Sequence, residues 1–137
     1  MQTFLPYPDP RKSLECLDNK RLGKQRVEAM QLINALERGG GAWFNHPACQ
    51  MWINDIDALK LYCDYSISVW EERGFKNTMK KYNRICETYP SWFGNPEFHA
   101  SHRSNLLRKD PIHYGQFGWT EPHDLPYIWP IKQQQEN

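Results

Sequence analysis

The chain has 137 residues, enough for one domain around a single core, and 39 % hydrophobic and 24 % charged residues place it among folded proteins despite a mean hydropathy of −0.82. A formal net charge of +1 is too small for a protein that coats DNA non-specifically, but the cations are clustered: Arg11, Lys12, Lys20, Arg21, Lys24 and Arg26 in residues 11–26, and Arg103, Arg108 and Lys109 in residues 102–109. No segment reaches the roughly 18 apolar residues of a membrane helix, and the start lacks the charged and apolar regions of a signal peptide. The 4 cysteines (Cys16, Cys49, Cys63, Cys86) have no CxxC spacing, so a zinc ribbon is not expected; an intracellular, cytoplasmic protein with reduced, buried thiols is.

In chain order, Pro6 and Pro8 keep residues 1–8 extended, and Asp9-Pro10 is a cap followed by proline at the first helical position, opening a short helix to Leu17. Asp18 or Asn19 caps a second helix that runs to Arg38 and stops at Gly39-Gly40-Gly41. Gly23 inside it costs about 1 kcal/mol relative to Ala and marks a close approach. Pro47 opens a short helix after a loop, and Asp55 to Arg73 carries helical periodicity through Ile56, Leu59, Tyr62, Cys63, Ile67 and Trp70. Its aromatic residues read mainly as core. A further amphipathic, basic helix is predicted over Lys76 to Tyr89 (Met79, Tyr82, Ile85, Cys86), and another over Pro96 to Arg108. Trp119 to Pro130 is expected to pack without regular structure, and Lys132 to Asn137 to fray. No β-alternation persists, so the fold class is all-α: one helical domain over residues 1–137 with an extended N-terminus and an irregular aromatic tail.

The most informative stretch is residues 17–30, LDNKRLGKQRVEAM. At about 100° per residue Arg21, Lys24, Gln25 and Glu28 share one face, while Leu22, Ala29, Ile33 and Leu36 face elsewhere. A cationic surface holding one carboxylate suits chemistry on a nucleic acid. A solvated face with Lys24–Glu28 pairing fits the same pattern. The segment FHASHRSNLLRKD ending at Asp110 offers His102, Arg103, Asn105, Arg108 and Lys109 as phosphate ligands, with a structural role for His and Asn as the competing reading. A metal set from His99, His102 and His113 is disfavoured, because no acid or cysteine lies at ligand spacing and Arg103 is a poor neighbour for a cation. His46, in Asn45-His46-Pro47, is either a site residue or a turn stabiliser.

No Ser-His-Asp order, P-loop or Gly-rich dinucleotide turn is present, and the acids do not cluster as in two-metal nucleases. Cleavage of DNA by this chain would run without metal, through an amine that attacks the sugar carbon bearing the base. An α-amine, with a pKa near 7.7–8.0, is partly free at neutral pH, whereas a lysine near 10.4 is mostly protonated. A carboxylate must stabilise the developing cation and move protons, and Glu28 is the acid best placed on a basic face.

Three stretches resemble the pyrimidine-dimer DNA glycosylase family, the phage-type endonuclease V repair enzymes and their bacterial relatives. Residues 17–30 match the family's polar helix with its catalytic Glu at Glu28. The long helix closing in Glu72-Arg-Gly-Phe75 matches a similar family helix. Thr3-Phe-Leu-Pro-Tyr-Pro, Asn45-His-Pro and Ser101-His-Arg-Ser-Asn-Leu-Leu-Arg-Lys-Asp110 resemble a less characterised branch of the family. The resemblance implies a compact all-α fold, recognition of cyclobutane pyrimidine dimers in duplex DNA with extrusion of a base, and glycosylase then AP-lyase action without cofactor or metal. It implies a nucleophilic α-amine, which in the family lies on a Thr exposed by loss of the initiator Met. Residue 2 here is Gln, too large for ordinary Met removal, which leaves the Met1 α-amine as the provisional nucleophile, Lys24 as a replacement, or a lost lyase step. Val27 stands where the family has an arginine beside its Glu, with Arg21 and Arg26 as substitutes. The expectation is a monomer acting on damaged double-stranded DNA, with Glu28 and Met1 catalytic and Lys20, Arg21, Lys24, His46, His102, Arg103, Asn105, Arg108 and Lys109 on the DNA. The alternatives are a glycosylase for another modified base or nucleoside, and a non-catalytic nucleic-acid-binding module.

Overall fold

Capping chemistry sets the helix boundaries in the computed structural model, which describes residues 1–131. The segment expected to fray, residues 132–137, lies outside the described residues. Asp9 accepts from the Lys12 N–H and Pro10 starts α1 (Pro10–Glu15). Asp18 accepts from the Arg21 N–H and opens α2 (Asn19–Arg38), which ends on Gly39 in the left-handed region at φ 74°. His46 caps α3 (Pro47–Gln50), and α4 spans Ile56–Glu72. Asn95 caps α5 (Pro96–Lys109), and Asp110 caps α6 (Pro111–Tyr114), which runs into a 3₁₀ turn over Gly115–Phe117. The described residues contain helices and no strands, so the fold is all-α. None of these helices is long and apolar enough to cross a membrane.

The core forms where α2 and α1 pack on α4. Leu22, Leu32 and Ile33 of α2 meet Leu59, Tyr62 and Ile67 of α4, with Trp52 and Phe98 completely buried beside them. Cys16, Cys49 and Cys63 are buried free thiols, while Cys86 is only half-buried. Burial pushes the Cys16 and Cys63 thiols up to about 12, so both are inert.

Gly23 marks the closest approach of α2 to α4. A Cβ there would sit 3.0 and 3.1 Å from two atoms of the Trp70 ring. That ring stacks on Phe75 at 4.3 Å, lies under the Arg26 guanidinium at 4.7 Å and donates its Nε1–H to Lys76 O at 2.9 Å. Held on three sides, it cannot yield. Gly23→Ala is therefore expected to lower stability, because overpacking of about 1–3 kcal/mol outweighs a helical gain of about 1 kcal/mol. A urea midpoint at or above that of the parent would contradict this.

One predicted element is absent. The helix expected over Lys76 to Tyr89 does not form at any of these residues, although Met79, Tyr82 and Cys86 do pack against the core as the amphipathic pattern requires. The Asp64 carboxylate on α4 accepts the Tyr82 and Asn83 N–H groups, each at 2.8 Å, and Asn83 takes φ 55°. Asn77 is held by Arg26, and its own amide donates to Met79 O. Helical bonding is replaced by side chains from α2 and α4, and Ile85 is left 87 % exposed.

Candidate active site

The N-terminal segment has neither helix nor strand partners, so its backbone polar groups must be satisfied by side chains. The Gln2 N–H donates to Glu28 Oε2 at 3.2 Å, and Gln2 O accepts from Gln25 Nε2 at 2.5 Å. Gln25 Oε1 accepts the Phe4 N–H at 2.7 Å. The Leu5 peptide is gripped from both ends: its N–H donates to His102 Nδ1 at 2.9 Å, and its carbonyl lies 2.7 Å from His99 Nδ1. Because His99 Nε2 accepts the Gly94 N–H, the His99 proton sits on Nδ1 and points at Leu5 O. Arg103 donates to Pro6 O at 2.7 Å, and Ser13 both accepts from and donates to the Tyr7 backbone.

This lacing delivers Met1 to the exposed flank of α2. Met1 and Glu28 share a cleft of about 340 Å³ between α2, the end of α5 and the C-terminal tail. Lys20, Arg21 and Lys24 line its α2 wall, and Lys109 and Tyr127 close it from the other side. Burial, together with the neighbouring Arg21, Arg108 and Lys24 cations, pulls the Lys109 ammonium below its ordinary range. The gathering of Lys20, Arg21, Lys24 and Lys109 around one cleft concentrates positive charge there, the kind of surface that accumulates phosphate. On the far side of Met1 and Glu28 lies a more apolar recess lined by Gly23, Val27, Gln31 and Trp43.

His46 borders this site. Its Nδ1 accepts the Ala48 N–H at 3.0 Å as the cap of α3, and its ring stands edge-on to Trp43 and Trp129 at 5.8 and 5.9 Å. Burial lowers its pKa, the N-terminal amine lowers it further, and Glu28 acts in the opposite sense. A neutral imidazole at neutral pH follows.

The structure thus brings together Met1, Glu28, Lys20, Arg21, Lys24 and Lys109, with His46 beside them. It does not bring the rest of the second basic segment. His102 is fully buried among Phe4, Phe98 and Tyr127, and burial holds its pKa down at about 3. Asn105 is 1 % exposed, donates to Ser101 O and Leu125 O, and accepts from Arg108. Arg103 is engaged by Pro6 O and by Glu121 at 2.9 Å. These three are corrected from DNA ligands to internal struts: the irregular segments on either side of α5 lack backbone partners, and α5 supplies them. Arg108 and Lys109 remain exposed at the end of the helix. Arg26, read as a substitute arginine, points away from the cleft to Asn77 and Trp70. His113 lies elsewhere, 2.9 Å from Cys16 O.

Two residues of the cleft, Tyr127 and Phe4, and one of the adjoining recess, Trp43, carry no signal of their place in the sequence. Tyr127 was visible only as part of an aromatic, Pro-rich tail, Phe4 as part of an extended start, and Trp43 as a loop aromatic. Nothing in their local pattern separates a cleft position from a core position.

Neither curated proteins nor solved structures yield a match to the chain. A family model described as pyrimidine dimer DNA glycosylase matches residues 1–83, a span containing Met1, the whole cationic helix with Glu28, and α4. More than half of the 137 residues are covered, and the chain belongs to the pyrimidine dimer DNA glycosylase family of DNA-repair enzymes.

Proposed function

We propose that this glycosylase excises UV-induced pyrimidine dimers from duplex DNA and then cleaves the strand as an AP lyase, through a Schiff base on the Met1 α-amine. The observation that carries the reading is the pairing of Met1 with Glu28 in one cleft walled by Lys20, Arg21, Lys24 and Lys109. The lysines and arginine hold the phosphates that flank the lesion, and Arg108 extends that contact. Met1 Nα attacks C1′ of the damaged nucleotide. The C1′–N bond breaks, and the base leaves with its electron pair and takes up a proton. Opening of the sugar ring yields the imine. Loss of a C2′ proton then expels the 3′ phosphate, and water releases the amine.

Glu28 faces the positive charge that develops at C1′ and on the imine nitrogen, where a carboxylate is most effective. It also shuttles the protons of ring opening and elimination. His46, neutral and wedged between Trp43 and Trp129, orients the mouth of the cleft. The chemistry proposed needs neither metal nor cofactor.

UV-irradiated and undamaged duplexes, incubated with the protein in EDTA and resolved on a denaturing gel, test the substrate. Cleavage restricted to irradiated DNA is the expected result. Borohydride added to an abasic duplex tests the amine: a covalent adduct is expected, mapping by mass to the N-terminal peptide. An adduct on the Lys24 peptide would transfer the nucleophile to Lys24, and base release with no adduct would leave a hydrolytic glycosylase.

A further inference from the structure

A chain terminus left to itself frays, yet attack at one sugar carbon needs the amine held to within about 1 Å. Met1 is tethered to a segment whose Gln2 carbonyl and Phe4 N–H are both bonded to one side chain of the same helix that carries Glu28, while Trp52 holds the Thr3 hydroxyl. Gln25 is 2 % exposed and stands one helical turn before Glu28. Its amide imitates a neighbouring strand: Nε2 donates to Gln2 O at 2.5 Å, and Oε1 accepts the Phe4 N–H at 2.7 Å. The Tyr62 hydroxyl, 2.8 Å from both Gln25 Oε1 and Phe4 O, braces the amide from the α4 side. The Gln2 N–H is then left to meet Glu28 Oε2 at 3.2 Å.

We infer that Gln25 is a positioning residue for the catalytic amine: it sets the distance between Met1 Nα and the Glu28 carboxylate by docking residues 2 and 4 onto α2. The inference rests on the proposed attack by the Met1 amine. Only a carboxamide of this length meets the requirement, because one planar group must both donate to the carbonyl of residue 2 and accept from the N–H of residue 4. Glutamate keeps the acceptor and loses the donor, and leucine loses both.

The test uses the full chain with Gln25→Leu and Gln25→Glu. Three quantities are read: the single-turnover rate of borohydride trapping on an abasic duplex, the Kd for that duplex, and exchange of the Gln2 and Phe4 amide protons by NMR. Ser13→Ala, which loosens the segment only at Tyr7, is the control for general destabilisation. The expected result for Gln25→Leu is trapping slowed about 10²-fold, with Kd nearly unchanged and faster exchange at Gln2 and Phe4. Gln25→Glu should fall between Gln25→Leu and the parent, and Ser13→Ala should trap at the parental rate. Trapping by Gln25→Leu at the parental rate overturns the inference, as does an equal loss in Ser13→Ala. If Gln25→Leu does not fold, Gln25→Glu decides by the same criteria. A parent protein that forms no adduct overturns the amine reading and this inference with it, whereas unchanged amide exchange in the variants overturns the clamp alone.

Discussion

Glu28→Gln is expected to lower turnover on irradiated duplex by about 10²–10⁴-fold, which is about 3–5 kcal/mol of transition-state stabilisation. The glutamine fits the same space, and its Oε1 can still accept the Gln2 N–H that Glu28 accepts at 3.2 Å. The N-terminal segment therefore stays docked, and what disappears is the negative charge. In the proposed mechanism that charge is needed only when the sugar becomes cationic. In the ground state of the proposed complex it would repel the phosphates assigned to Lys20, Arg21, Lys24 and Lys109. Lesion binding should then be equal to that of the parent or tighter, while chemistry collapses. Single-turnover cleavage at saturating enzyme, paired with fluorescence anisotropy on the same duplex, separates the two. Turnover within a few-fold of the parent would remove Glu28 from the mechanism, and a parallel loss of binding would reduce it to a structural ligand of Gln2.

Acid should unfold the protein through His102. This histidine is fully buried, its Nδ1 accepts the Leu5 N–H, and its Nε2–H has no partner among the described residues, lying in the apolar surroundings of Phe4, Phe98 and Tyr127. Burial, with His99 nearby, depresses its pKa to about 3 in the fold. The unfolded chain binds a proton near pH 6.5 and the native chain does not, so stability is fully present above about pH 6.5 and is lost as the pH falls toward 3. The loss is about 1.4 kcal/mol per pH unit for this one group, or about 2 kcal/mol between pH 6.5 and 5. His99, also depressed by burial, adds a loss of the same sign. His102→Gln keeps an acceptor for Leu5 and removes the titration. Urea unfolding of the parent and this variant at pH 7.5, 6.5 and 5.5 should show the parent's advantage shrinking as the pH falls. An advantage independent of pH would mean that His102 does not titrate between the two states.

The two effects share a cause. The N-terminal segment is held by side chains from α2, α4 and α5, and the same docking that puts Met1 beside Glu28 buries the histidines. Protonating His102 would turn its Leu5 acceptor into a donor and release the segment that carries the amine.

Much of this molecule is legible in its amino-acid order, because the forces involved act over one or two helical turns. Asp9-Pro10, Asp18 and Gly39 mark helix ends through bonds to residues at most four positions away. The α4 stripe of Leu59, Tyr62, Cys63 and Ile67 is buried as its spacing requires. The shared face of Arg21, Lys24, Gln25 and Glu28 follows from helical geometry, and all four line one cleft. The exceptions depend on partners far away in the chain. Residues 76–89 have the spacing of a helix, but Asp64 captures two of their N–H groups. The histidine, asparagine and first arginine of the 102–109 segment have the composition of a phosphate site. They are claimed instead by irregular backbone at Leu5, Pro6 and Leu125, up to 97 residues away. A polar side chain in a sequence does not reveal whether water, a phosphate or an unpaired peptide will take it. That choice is made when remote segments fold together and their buried backbone groups must find partners.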